Sequence, residues 1–180
     1  MLIKAEKSSL LVIDIQQRLA PAMANAERVV ANTTVLMKAA ARLGVPVLAS
    51  EQYPRGLGST IGELAPMIPA ENCLEKIDFS CMADEAYCSK FKSLGRPQAI
   101  VVGIEAHVCV LQTVMDLLEE GFAPFVVADA VSSRTEENEV RALDRMRHAG
   151  ASIVATEMVV FEWLRRAGTP AFKEISALIK

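Results

Sequence analysis

Short apolar runs alternate with longer amphipathic segments along most of the chain. The run SLLVIDI at residues 9–15 is continuous rather than alternating, the pattern of a strand covered on both faces. Residues 24–43 place Val29, Val30, Thr33, Leu36, Met37 and Ala40 at helical spacing, and the pattern stops at Gly44. VPVLAS at 45–50 predicts a second strand and residues 74–77 a short third. A helix is predicted over 84–94, where Gly95 and then Pro97 supply a stop signal.

The rhythm continues. AIVVG at 99–103 predicts a fourth strand, 107–120 a helix closed by Gly121, and PFVVA at 124–128 a fifth strand. Residues 135–149 predict a helix closed by Gly150, and ASIVA at 151–155 a last strand. Strands alternating with helices imply βαβ crossovers and a parallel sheet. The expected fold is therefore α/β: a three-layer α/β/α, Rossmann-like arrangement with a mostly parallel sheet of about six strands and helices on both faces. No linker, repeat or low-complexity stretch interrupts it, so residues 1–180 read as one domain. The tail, 159–180, holds Phe161, Trp163, Leu164, Phe172, Ile175, Leu178 and Ile179. A last helix packing on its own sheet is the favoured reading. A subunit contact through Trp163, Arg165 and Arg166 is the alternative, since aromatic and arginine side chains are enriched at interfaces.

Composition narrows the partners. With 180 residues the chain buries enough surface to need no staple, and its 19 basic against 22 acidic residues create no field for nucleic acid or an anionic membrane. No apolar run approaches the ~20 residues of a membrane span. Met1–Lys7 lacks an apolar leader core, so the expected compartment is the cytoplasm. Cys73, Cys81, Cys88 and Cys109 form no CxxC pair and read as reduced thiols, three buried and one a candidate for reactivity. With two histidines in all, no metal site is expected.

In open α/β sheets ligands bind beyond the carboxyl ends of the strands, so the residues at those ends carry the candidate chemistry. Asp14 closes the first strand; a carboxylate in an apolar run needs a partner, though it could simply cap the following turn. Lys76 closes the third, with a solvated lysine paired to Glu75 or Asp78 as the alternative. After AIVVG the chain runs GIEAHVCV, which puts Cys109 in about the first turn of the next helix. Free N–H groups and the positive dipole end there favour thiolate and can hold an oxyanion. A buried structural cysteine is the alternative. His107 is two residues from Cys109, so their side chains diverge on a helix. His148 reads as a helix-end residue and Asp129 as structural. Dinucleotide, P-loop and GxSxG signatures are absent.

At these residues the chain resembles the isochorismatase-like cysteine hydrolase superfamily over nearly its whole length. The segments are LLVIDIQQRL, VPVLASEQYPRGLGSTIGEL, EKIDFSCM, IVVGIEAHVCVLQTVMDLLEEGF and VVADAVSSR. The resemblance implies a catalytic triad of Asp14, Lys76 and Cys109. It also implies a non-proline cis peptide at Ile104–Glu105 that turns the N–H groups of Glu105 and Cys109 toward an oxyanion. Family nicotinamidases carry an Asp-x-His metal motif after the second strand, whereas EQYPRGLG here has no histidine. The expectation is a cofactor-free, homo-oligomeric hydrolase of a small amide or related acyl compound, closest to the small stand-alone isochorismatase domain proteins. Gln52, Tyr53, Arg55 and Phe79 are candidate substrate contacts. The alternatives are hydrolysis of an isochorismate-like vinyl ether and a non-catalytic interaction module that keeps the pocket.

Overall fold

A computed structural model describes residues 1–179. In chain order the elements are β1 (Ser8–Ile13), α1 (Ala26–Leu43), β2 (Val47–Gln52), α2 (Pro54–Leu57), β3 (Cys73–Lys76), α3 (Glu85–Ser93) and β4 (Gln98–Ile104). They continue with α4 (Leu111–Glu119), β5 (Ala123–Ser132), α5 (Glu136–Ala149), β6 (Ser152–Val154), α6 (Thr156–Leu164) and α7 (Pro170–Ser176). The six strands make one sheet in the order β3-β2-β1-β4-β5-β6, and every pairing is parallel. The mostly parallel sheet expected from the sequence is thus wholly parallel.

Every residue of β1 and of β4 is buried, which is why neither run alternates. Successive strand side chains point to opposite faces. Leu10 and Val12 pack with Leu36 of α1, Val159 and Trp163 of α6 and Ile175 of α7. Leu11 and Ile13 pack on the other side with Phe91 of α3, Val114 of α4 and Met146 of α5. The tail belongs to the first of these cores: the Trp163 indole donates to the Ser8 hydroxyl at 3.0 Å. Helix starts are fixed by side chains that accept a free backbone N–H, Asp84 from Tyr87 and Thr135 from Asn138, each cap adding ~1 kcal/mol.

Two elements depart from the sequence pattern. β5 runs to Ser132 rather than stopping near 128, because a register shift lets Val131 and Ser132 pair with Gly103 and Ile104. The helix predicted over 107–120 is divided into a π-helical turn over Ala106–Val110 and α4 proper. The chain order reverses between β1 and β4, where one crossover leads to β2 and the other to β5. The crevice beyond their carboxyl ends is where such sheets hold ligands. Gly103 makes that junction possible. It has φ 126°, and a Cβ there would stand 2.1 Å from the Ile13 carbonyl oxygen.

Candidate active site

Asp14 follows β1 in the left-handed region, at φ 52°. Its N–H donates to the Ser50 carbonyl at 3.1 Å. The Ser50 hydroxyl donates to Asp14 Oδ1 and the Lys76 ammonium to Oδ2, each at 2.7 Å. Both side chains of the Asp14–Lys76 pair have zero exposure. Lys76 reaches Asp14 from the end of β3, across β2, and also donates to Gln52 Oε1 at 2.7 Å and to the carbonyls of Phe79 and Asp78 at 3.0 and 3.2 Å. A buried ion pair persists only when its remaining hydrogen-bonding capacity is satisfied, and here it is. Burial opposes the ammonium charge, but Asp14 first and then the thiols of Cys81 and Cys109 outweigh it, so the Lys76 pKa lies above its ordinary value.

Cys109 sits in the π-helical turn and is 5% exposed. Turns of this kind recur at functional sites because they displace one residue from the helical register. Burial is the main force that pushes its thiol pKa well up; the Asp14 carboxylate adds to this by charge and hydrogen bonding, and Lys76 opposes it. The sequence-based expectation of a thiolate favoured by the helix end is therefore corrected. Burial and the neighbouring carboxylate both oppose the thiolate form here.

The peptide between Ile104 and Glu105 is cis. Glu105 begins the turn; its Oε1 accepts from Arg134 Nε and Nη2 at 3.1 and 2.9 Å, while Oε2 is buried without a partner among the described residues.

The remaining sequence candidates divide. Tyr53 and Arg55 line a cleft of about 500 Å³ that also takes in Lys76, Glu75, Asp78 and Asp84. Gln52 instead anchors Lys76 through Oε1 and donates to the Ile77 carbonyl at 2.7 Å. Phe79 supplies a carbonyl to Lys76 and leaves its ring exposed. His107 bonds Ser133 at 2.9 Å through Nδ1, and Asp129 holds the first turn of α6 through Thr156. His148 contacts the Asp144 carbonyl. Of the three cysteines expected in the core besides Cys109, only Cys81 is buried; Cys73 and Cys88 are half-buried.

The sequence reading missed Gln16. Its buried amide donates to the carbonyls of Gln52 and Gly58 and accepts from the Gln52 N–H, which ties the 53–58 loop to β2. A glutamine directly after an apolar strand was the available signal. Ser50 and Thr113, also missed, are small residues inside apolar runs and carried no signal, and Cys81 was read only as a buried thiol.

The raised thiols make a pH prediction. Burial above all lifts Cys73 and Cys81 to about 11 from an ordinary value of 9.0, and lifts Cys109 further. The buried Tyr87 phenol is raised in the same way. Groups with raised folded-state pKa values stabilise the fold fully below their unfolded values and lose that contribution as pH climbs toward the folded ones. Melting temperature is expected to fall from about pH 9 upward; a flat curve to pH ~11 would contradict these placements.

The isochorismatase domain family matches residues 8–158, a span that contains Asp14, Lys76 and Cys109. The chain belongs to the isochorismatase family. It is 40% identical to isochorismatase domain-containing protein 2 of Danio rerio, over 96% of this chain and 86% of that protein. It is 38% identical to the secreted isochorismatase effector Isc1 of Phytophthora sojae, over 96% and 84%. The structure of the MAR1 ribonuclease of Caenorhabditis elegans superposes with a TM-score of 0.92 at 37% identity, covering 99% of this chain and 92% of that one. Two bacterial YcaC structures share the fold of this isochorismatase-family hydrolase. The octameric hydrolase of unknown specificity from Escherichia coli has a TM-score of 0.93 at 23% identity, covering 99% and 90%. The Pseudomonas aeruginosa protein, with hexane-2,5-diol and covalent acrylamide, has 0.92 at 24%, covering 98% and 91%. Among the described residues no helix is long and apolar enough to cross a membrane.

Proposed function

We propose that residues 1–180 form one cysteine hydrolase domain that cleaves a small amide or related C–N acyl compound through a thioester on Cys109. The observation that carries the reading is the fully buried Asp14–Lys76 pair coupled to the Cys109 thiol. A thiol whose pKa is raised needs a base in contact with it. Asp14 takes the thiol proton as Sγ attacks the carbonyl carbon, and the N–H groups of Glu105 and Cys109 receive the oxyanion. The C–N bond then breaks, and Asp14 returns its proton to the leaving nitrogen. Water attacks the thioester, giving its proton to Asp14; the C–S bond breaks, the acid leaves and the thiol is restored. Lys76 holds the carboxylate in place throughout and balances its charge. Tyr53 and Arg55, on the cleft wall, contact the substrate.

The cleft volume suits a small molecule. The carboxylates of Glu75, Asp78 and Asp84 on its wall, and a net charge of −3, oppose the phosphate backbone of RNA. The covalent acrylamide in the P. aeruginosa structure is compatible with a nucleophile on this fold, and the octameric E. coli protein supports self-association of this chain. Four free thiols suit a reducing compartment such as the cytoplasm.

Iodoacetamide, followed by peptide mass mapping, tests the reading. Cys73 and Cys88 are more exposed than Cys109, so access alone would modify them first. Cys109 is expected to react ahead of all three other thiols, and equal or slower reaction at Cys109 would sink the mechanism. Ammonia release across a panel of amides, ureas and carbamates then identifies the substrate.

A further inference from the structure

We propose that Ser50 is a positioning residue for Asp14, at the head of a buried hydrogen-bond chain that runs through Cys81 and Thr113 to Cys109. The inference rests on the roles of Asp14 and Cys109 proposed above. Ser50 lies opposite Ile13 in the β1–β2 register. It grips the next residue, Asp14, at two points: its carbonyl accepts the Asp14 N–H at 3.1 Å, and its hydroxyl donates to Oδ1 at 2.7 Å. The Cys81 thiol donates to the Ser50 oxygen at 3.4 Å. The Cys81 N–H donates to the Thr113 hydroxyl at 2.9 Å, and that hydroxyl donates to the Cys109 carbonyl at 2.7 Å. Ser50, Cys81 and Thr113 are all buried. The base and the nucleophile, which arrive on strands from opposite sides of the switch point, are thus joined from beneath.

A hydroxyl has one proton to give. Ser50 spends it on Asp14, and the Cys81 S–H fills the lone pair behind it, so the donors run outward from Cys81, its S–H toward Ser50 and Asp14 and its N–H toward Thr113 and the Cys109 carbonyl. The result pins both carboxylate oxygens, Oδ1 by Ser50 and Oδ2 by Lys76. Hydrogen bonds to the charged form of a carboxyl favour that form, which is the form a general base requires. The groups facing Asp14 are Ser50 from β2, Lys76 from β3, Cys109 from the π-helical turn, Cys81 before α3 and Tyr87 within it.

The test is the pH profile of iodoacetamide reaction at Cys109 in the full chain, read by mass mapping. In Ser50→Ala the acid limb is expected to move up by about one pH unit, with a rate near neutrality about tenfold lower. Ser50→Thr restores both, since it keeps the hydroxyl. Ser50→Cys, close in shape but a weaker donor, moves the limb in the same direction as alanine and carries the test if the alanine variant fails to fold. An unmoved acid limb in either variant, even with a slower reaction, would make Ser50 a packing residue and overturn the proposal. If wild-type Cys109 does not outpace the other thiols, the hydrolase reading falls and the role of Ser50 with it; an unmoved acid limb at a Cys109 that does outpace them overturns the role of Ser50 alone.

Discussion

Lys76→Met is expected to cost roughly 3–5 kcal/mol of stability, because removing one partner of a buried pair strands the other. Asp14 has zero exposure, and without the ammonium it keeps only neutral donors, the Ser50 hydroxyl and the Cys109 thiol, among the described residues. Methionine fills the space without supplying a proton. Asp14→Asn acts differently. The amide keeps the shape, and the ammonium retains Gln52 Oε1 and the carbonyls of Asp78 and Phe79, so the loss of stability is smaller. Under the proposed mechanism turnover is expected to be abolished in both, and in Cys109→Ala, since the proposed base, its cation and the nucleophile act as a unit. The double variant Asp14→Asn/Lys76→Met is expected to be more stable than Lys76→Met alone, as no unpaired charge remains buried. Urea unfolding of the set measures this; a Lys76→Met loss below ~1 kcal/mol would mean that water reaches the pair.

Gly103→Ala is the second large effect. The new Cβ would lie 2.1 Å from the Ile13 oxygen and 2.7 Å from the Ile13 nitrogen, and φ is 126°. Both obstacles are backbone of the neighbouring central strand, so no side chain can swing aside. Strand separation and a disfavoured backbone conformation add, for a loss of roughly 3 kcal/mol or more. Because Ile13 directly precedes Asp14, any variant protein that still folds is expected to label slowly at Cys109. A melting temperature within a few degrees of wild type would refute the close packing described for this junction.

Gly103 also shows where sequence reading runs out. The strands were legible because a sheet buried on both faces writes continuous apolar runs, as in LLVI of β1 and AIVV of β4. Asp14, Lys76 and Cys109 were legible as polar residues at the ends of such runs, reinforced by family motifs. The π-helical turn was not, since its apolar spacing over AHVCV is that of an ordinary helix and only the backbone path distinguishes them. Neither was the state of Cys109: helix-end reasoning sees the local dipole, whereas burial and Asp14 come from elements distant in sequence. Ser50 and Gln52 sit in the same strand with no pattern to separate the residue that holds Asp14 from the one that holds Lys76.

The sheet order has a consequence for how such a catalyst would fail. Asp14 and the approach to Cys109 belong to β1 and β4, at the centre of the sheet, while Lys76 is the last residue of β3, a four-residue strand at its rim. Rims of sheets open more readily than centres, and do so without global unfolding. Detachment of β3 would carry the ammonium away and leave carboxylate and thiol facing each other uncompensated. For the proposed catalyst, activity is then expected to be lost at a temperature set by that short rim strand, below the temperature at which the core melts.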